Sequence, residues 1–186
     1  MATTKWALDP THSEIGFKIR HLMISNVSGN FNKFNVEVKT KGVDFENANV
    51  TASIDTKSIN TNNQQRDEHL RNADFFEVET HPTILFKSTK VEKLDQENYK
   101  LHGNLTIKDT THPVVLDVEY SGTAKDSWGN FKAGFTISGK FNRKDFGISY
   151  NAVLETGGLA LGEEIKVHGE LQLIREAKQE LVEAVA

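Results

Sequence analysis

The chain has 186 residues, of which 37% are hydrophobic, a formal charge of −4 and no cysteine. A chain of this length supports one domain around one core. The acidic balance leaves no basic excess to neutralise a phosphate backbone, which sets nucleic acid aside as a partner, and the missing cysteines exclude disulfides, thiol catalysis and thiolate metal sites.

The N-terminal MATTKWALDP lacks the apolar run of a secretory leader, and no later segment reaches membrane-spanning length. The chain as written is therefore expected to be soluble and cytoplasmic, or periplasmic or secreted if a leader peptide has been removed. From there on, nearly every segment alternates apolar and polar residues with a period of two, the pattern of strands with one dry face. Ile15, Phe17 and Ile19 share one phase; Val27, Gly29 and Phe31 follow, then Phe34, Val36 and Val38 after a one-residue slip that suggests a bulge. Val50, Ala52 and Ile54 form the next run, with Ile84 and Phe86 after them. Tyr99, Leu101, Gly103, Leu105 and Ile107 precede Val114, Leu116, Val118, Tyr120 and Gly122. Phe131 to Phe141 and Ile165 to Leu173, at every second residue, complete about eight strands, joined by turn signals such as LDQEN and KDSWGN. The expected fold is all-β, an eight-stranded antiparallel barrel.

Gly29, Gly103, Gly122, Gly139 and Gly169 fall on the apolar phase, where an inward side chain is missing. They are either bends at barrel corners or hollows in the interior, and an eight-stranded barrel has room for its own side chains or for one small ligand. Any guest among these Ile, Val, Leu and Phe side chains would be apolar.

Residues 61–73, TNNQQRDEHLRNA, read as a short internal helix with Asn62 as N-cap and Gln65 three residues on. Asp67 and Arg71 stand four apart and can pair on an exposed face, while Leu70, Phe75 and Phe76 would seat the helix on a barrel mouth. Those charges suit a solvated lid better than a reaction centre. The closing REAKQELVEAVA changes to helical spacing at Ala177, Leu181, Val182 and Val185. Residues 175–186 are accordingly read as a short C-terminal helical tail after a barrel domain over 1–174.

The stretches WALDPTHSEIGFKIRHLMISNVSGNF, SIDTKSINTNNQQRDEHLRNADFFEVETHPTILFKST, LHGNLTIKDTTHPV and GFTISGKFNRKDFGI contain the elements SI-x-T, RD-x-HL, DFF and R-x-DFG. In that order and approximate spacing the sequence resembles the YceI-like family of polyisoprenoid-binding, lipocalin-like proteins, from about Trp6 to Leu173. The resemblance implies an extended antiparallel barrel whose cavity takes an isoprenoid or another long-chain amphiphile, often in a homodimer. It implies no catalytic residues, and no cofactor other than a bound lipid such as a polyprenyl chain.

The polar clusters read as structural beside that expectation. His69 and His81 are separated by a helix exit and the Pro82 turn, and His102 and His112 lack a carboxylate at ligand spacing, so no metal site is expected. His12, Ser13 and Glu14 are consecutive, which on a strand sends them to alternate faces, and Ser13 lacks a nucleophile elbow. Arg143 and Asp145, at a strand end, are expected to form a partly buried salt bridge in preference to a ligand contact.

The expected function is non-enzymatic: binding, sequestration or transport of a long-chain lipid such as a polyisoprenoid, its phosphate or a fatty acid. The inward phase nominates Phe17, Ile19, Phe31, Phe34, Ile54, Phe86, Leu101, Leu105, Leu116, Phe135, Ile137, Val167 and Leu171 as cavity lining. At the mouth, Arg20, His21, Arg66 and Arg71 are candidates to meet a head group, with Leu70, Phe75 and Phe76 as an apolar gate. Two alternatives stay open. An enzyme acting on an amphiphile would need polar groups inside, where the apolar phase offers only Tyr99 and Tyr120; a stress-response structural module would need only a filled barrel.

Overall fold

A computed structural model describes residues 2–155 and 158–177. The strands are β1 (Thr3–Leu8), β2 (Glu14–His21), β3 (Ser25–Phe31), β4 (Phe34–Lys41), β5 (Asp44–Asp55), β6 (Ile59–Asn60), β7 (Thr83–Lys93), β8 (Asn98–Ile107), β9 (Thr110–Lys125), β10 (Phe131–Asn142) and β11 (Leu161–Arg175), with one helix, α1 (Gln64–Arg71). Strand β11 runs on to Arg175, one residue past the expected domain boundary. Of the C-terminal helix expected over 175–186, Arg175 belongs to β11, Glu176 and Ala177 are not helical, and residues 178–186 lie outside the described residues.

All pairings are antiparallel. Strands β1, β4, β5, β7, β8, β9, β10 and β11 pair in that order, and β1 closes on β11 through Trp6 with Arg175 and Leu8 with Leu173. That circuit is a closed eight-stranded barrel. Further along β11, Gly169 and Ile165 face Ile15 and Ile19 of β2, so β1 and β2 behave as one long strand interrupted by a turn at Pro10–His12. Asp9 caps that turn by accepting from the Thr11 N–H.

The slip between Phe31 and Phe34 is a strand break, not a bulge. Strand β3 pairs with β2 and meets only two residues of β6, whereas β4 pairs with β1 and β5. Among the described residues no ladder joins β3 to β7, and residues 56–82 occupy that side of the barrel. The wall is thus complete around one end and, at the other, finished by an inserted segment.

The inserted helix differs from expectation in its cap and its charges. Its N-cap is Asn63, whose side chain accepts from the Arg66 N–H at 2.9 Å; Asn62 instead adopts φ +60°, a left-handed geometry that asparagine tolerates. Asp67 does not pair with Arg71. It is buried and accepts from the Thr61 N–H at 2.9 Å and from the Thr61 hydroxyl, while Arg71 donates to the Lys57 and Ile59 carbonyls, each at 3.0 Å. The helix is tied by charge-assisted hydrogen bonds to its own approach, which includes β6.

Apolar residues sort into two clusters along the barrel axis. One holds Trp6, Leu8, Val36, Val38, Phe45, Ala133, Phe135, Leu171 and Leu173. The other holds Phe31, Ile59, Phe75, Ile84, Ile107, Phe146 and Ile148. Gly122 has no atom within 4 Å of an added Cβ and, at φ +102°, stands where the β9–β10 register slips, but the other four inward glycines do not hollow the space between. A Cβ on Gly29 would lie 2.5 Å from Phe17 Cζ, on Gly139 2.6 Å from Leu116 Cδ2 and on Gly169 2.8 Å from Ile137 Cγ1. Neighbouring side chains lie across these three and across Gly103, so these positions admit close cross-strand packing.

Candidate functional site

Between the two clusters, toward the end roofed by the inserted segment, lies a cavity of about 200 Å³. Its wall includes Phe17, Ile19, Phe31, Ile54, Phe86, Leu101, Leu105, Leu116, Ile137, Val167 and Leu171. A smaller void of about 70 Å³ continues toward the other end, where Phe135 belongs to the wall with Phe45, Tyr99 and Leu173. Val36, Val50, Leu101, Ile137 and Leu171 border both spaces, which therefore stack along the axis. Phe34 lines neither. It opens β4 just after the strand break and packs against the Trp6 cluster.

Leu70, Phe75 and Phe76 form the roof, facing the larger space with Ile148 and Phe141. The Phe76 ring meets Phe31 edge-on at 6.0 Å, and Phe31 meets Phe17 at 5.6 Å. Outside the roof, Phe75 meets Tyr150 edge-on at 5.2 Å, and His69 packs edge-on against both rings. The β2–β3 hairpin tip stands beside this end, with the Leu22 N–H bonded to the Ala160 carbonyl at 2.8 Å. Leu22 and Met23 take φ +52° and +60°, and Ile24 is 81% exposed.

The three arginines expected at the mouth are committed elsewhere. Arg20 is exposed and donates to the Met23 carbonyl at 2.7 Å; Arg66 donates to the Thr61 hydroxyl and carbonyl, each at 2.7 Å; Arg71 holds the carbonyls already named. His21 is half-buried at the end of β2, opposite Ser25. None of these four residues lines the larger cavity.

Arg143 does line it, and the salt bridge expected with Asp145 is not formed. Arg143 is 2% exposed, whereas Asp145 points to solvent. The reason is geometric: a tight 3-10 turn over Arg143–Phe146 begins at the end of β10, sending the first side chain inward and the third outward. Burial pushes the Arg143 guanidinium down from its ordinary value, and only the charge of Glu163 opposes the shift. The sequence carried a signal for this residue. Arg143 continues the inward alternation Ile137, Gly139, Phe141 by one more step, past the point where the apolar pattern stops.

The remaining polar clusters form local structure. His12 Nδ1 lies 2.8 Å from Asp9 and 3.1 Å from the Thr11 hydroxyl, so one nitrogen meets both groups and no relay through the ring exists. Ser13 bonds the Gln172 backbone, and His102 reaches Glu92 at 3.2 Å. His69 lies 2.8 Å from Asp74, His81 lies 3.7 Å from Glu77, and His112 packs on the Phe146 ring. Among the described residues no group of three or more His, Asp or Glu is arranged to hold a metal, and no helix is long and apolar enough to cross a membrane. Burial raises the Tyr99 phenol, which keeps it in the neutral form.

The barrel, its inserted roof and its apolar lumen can be set beside known proteins. The family described as YceI-like domain matches residues 6–173. The chain belongs to the YceI-like family. A UPF0312 protein of Staphylococcus epidermidis is 43% identical over 164 residues, 88% of this chain and 93% of that protein. Among solved structures, the YceI protein of Campylobacter jejuni superposes with a TM-score of 0.71 at 36% identity, covering 92% of this chain and 97% of the other. A polyisoprenoid binding domain from Saccharophagus degradans superposes with a TM-score of 0.63 at 15% identity, over 92% and 98% of the two chains, a likeness of fold alone. The YceI-like assignment therefore rests on sequence and fold together.

Proposed function

We propose that this YceI-like protein binds a long-chain lipid, a polyisoprenoid or a fatty-acid-like chain, in the barrel lumen and sequesters or carries it without chemical turnover. The observation that carries the reading is the wall of the larger cavity, built from Ile, Val, Leu, Phe and Ala side chains with charge at one end only. The name of the Saccharophagus domain, a polyisoprenoid binding domain on the same fold, supports it. Each methylene moved from water onto such a wall contributes about 0.8 kcal/mol before ordering costs, so chain length drives affinity.

A space of about 200 Å³ is below the roughly 300–1,000 Å³ typical of ligand pockets. A long chain must therefore displace something. The roof is the part able to yield, because residues 56–82 join the barrel through the two-residue β6 and the bonds of Ser58 to Asn32 and Lys33, while the helix is bonded to the segment's own approach. Leu70, Phe75 and Phe76 would swing away with it and open the lumen from the end.

The test is mass spectrometry of an organic extract from freshly purified protein, followed by titration of the stripped protein with prenols of increasing length. A co-purifying lipid, and affinity that rises with chain length, are expected. A lipid-free extract together with affinity indifferent to length would leave a filled structural barrel instead.

A further inference from the structure

We propose that Arg143 is the head-group residue of the lumen, its guanidinium binding the oxyanion of a phosphate or carboxylate carried on a single-chain lipid whose tail runs down the barrel. This rests on the lipid-binding reading above and adds to it a residue, an orientation and a class of head group.

Arg143 sits where β10 ends, on the wall of the larger cavity and 2% exposed. Its Nε donates to the Gly162 carbonyl at 2.8 Å, and its Nη1 donates to the Ile148 and Tyr150 carbonyls at 2.9 and 2.8 Å. These three bonds account for Nε–H and both hydrogens of Nη1. The remaining nitrogen, Nη2, carries two hydrogens, is buried and has no acceptor among the described residues. Native interiors rarely leave such a donor unmatched, because the water it gives up must be replaced.

The charge is equally uncompensated. Glu163 is the carboxylate whose field reaches Arg143, and it is already bound to Lys144 at 2.6 Å and to the Asn142 amide at 3.4 Å. Asp145 faces solvent. A full positive charge with only carbonyl dipoles around it therefore sits at one end of an apolar lumen, which is costly until an anion arrives. Guanidinium suits the task because it stays charged when buried and its hydrogen bonds to phosphate and carboxylate oxygens are charge-assisted.

Position fixes orientation. Along β10 the wall passes from Phe135, beside the Trp6 cluster, through Ile137 and Phe141 to Arg143. The eight steps from Phe135 to Arg143 span roughly 25 Å along the chain. A tail laid along that path would have its head beside Arg143 and under the roof, the last part of the ligand to enter. On the rim Arg20 is exposed to screening water, and the half-buried Arg66 and Arg71 are already bonded to backbone carbonyls, so they would give far less discrimination between a charged and a neutral head.

The experiment compares ligands of equal tail: geranylgeranyl phosphate against geranylgeraniol, and palmitate against hexadecanol. Binding is measured for the full chain in wild type, Arg143→Gln, Arg143→Lys and Arg66→Gln, with thermal unfolding of each protein recorded alongside. Wild type is expected to prefer at least one anion over its alcohol by roughly tenfold or more. That ratio should fall to near one in Arg143→Gln, persist in part in Arg143→Lys and stay unchanged in Arg66→Gln. Whichever anion shows the preference assigns the head as phosphate or carboxylate. Equal wild-type affinity for anion and alcohol in both pairs overturns the proposal while leaving lipid binding intact, and needs no variant to fold. An unchanged ratio in folded Arg143→Gln overturns it too. Failure of wild type to bind any of the four removes the lipid-binding reading itself, and this inference with it.

Discussion

Where β1 closes on β11, Trp6 packs against Phe45 at 4.9 Å, Phe45 meets Phe135 edge-on at 4.9 Å, and Tyr120 stacks within 5.6 Å of both phenylalanines. That packing leaves a void of only about 70 Å³, whereas at the opposite end the rings of Phe17, Phe31 and Phe76 border a cavity of about 200 Å³. Both ends draw on the same inward alternation and on similar residue types, so hydrophobicity alone does not distinguish them. The difference lies in who completes the wall. At the full end, strands complete it, with Trp6 inserted from β1 and its indole N–H satisfied by the Thr40 hydroxyl at 3.0 Å. At the hollow end, a helix and loop complete it, held by Asp67, Arg66 and Arg71 to nearby backbone and threonine groups. A ladder is cooperative and rigid, whereas such an insert opens at lower free energy than the sheet beside it. Stability is concentrated at one end of the axis and access at the other.

The largest expected effect tests that division directly. Trp6→Ala removes a side chain that is 1% exposed from the centre of the full end, and should cost about 3–5 kcal/mol in urea or guanidinium unfolding. Phe76→Ala, from the half-buried roof, should cost roughly 1–2 kcal/mol yet accelerate lipid exchange, read as a faster off-rate for a bound prenol. A Trp6 variant that changes exchange more than stability, or a Phe76 variant that does the reverse, would erase the distinction between the two ends.

Next in size is the packing over the inward glycines. A Cβ at Gly103 would lie against the Phe86 ring and 2.7 Å from the Lys87 carbonyl oxygen. Because a backbone atom cannot step aside, Gly103→Ala is expected to cost about 1–3 kcal/mol, and Gly103→Leu more. The alternative, that Gly103 opens the lumen, calls for a Gly103→Leu protein of unchanged stability and reduced lipid affinity. Thermal unfolding and prenol binding on the same two variants separate these outcomes.

Much of this architecture was legible in the sequence. A period of two along the strands determines which residues face inward, and it placed Phe17, Leu101, Leu105, Ile137 and Leu171 on the cavity wall. Phase does not report what a neighbour does with the space. Gly29 and Gly103 read as gaps, but Phe17 and Phe86 lie across them, and that is a matter of rotamers on adjacent strands. Charge misled in the same way. Asp67 and Arg71 look like a surface pair at helical spacing, yet each satisfies groups in the approach to the helix, a contact set by the tertiary route of residues 56–63. Arg143 was legible in principle, since it extends the inward alternation, but a cation at an apolar phase is normally read as the end of the strand.

The smallest expected effect lies at the full end, where Asp9 is buried beside Lys132. The Lys132 ammonium at 2.7 Å, with His12 and Thr11, holds the Asp9 carboxyl well below the usual carboxylate range. The folded state therefore binds its proton at lower pH than the unfolded chain, whose aspartates titrate near 3.9. The stabilisation is present in full above that unfolded value and is lost as pH falls toward the depressed folded one. Asp9→Asn should destabilise by about 1–2 kcal/mol at neutral pH, and the gap from wild type should narrow as pH drops below about 4. Urea unfolding of both proteins between neutral pH and pH 3 provides the measurement. Because asparagine keeps the acceptor that caps the Pro10–His12 turn, a gap constant across that range would show that the contribution of Asp9 does not come from its charge.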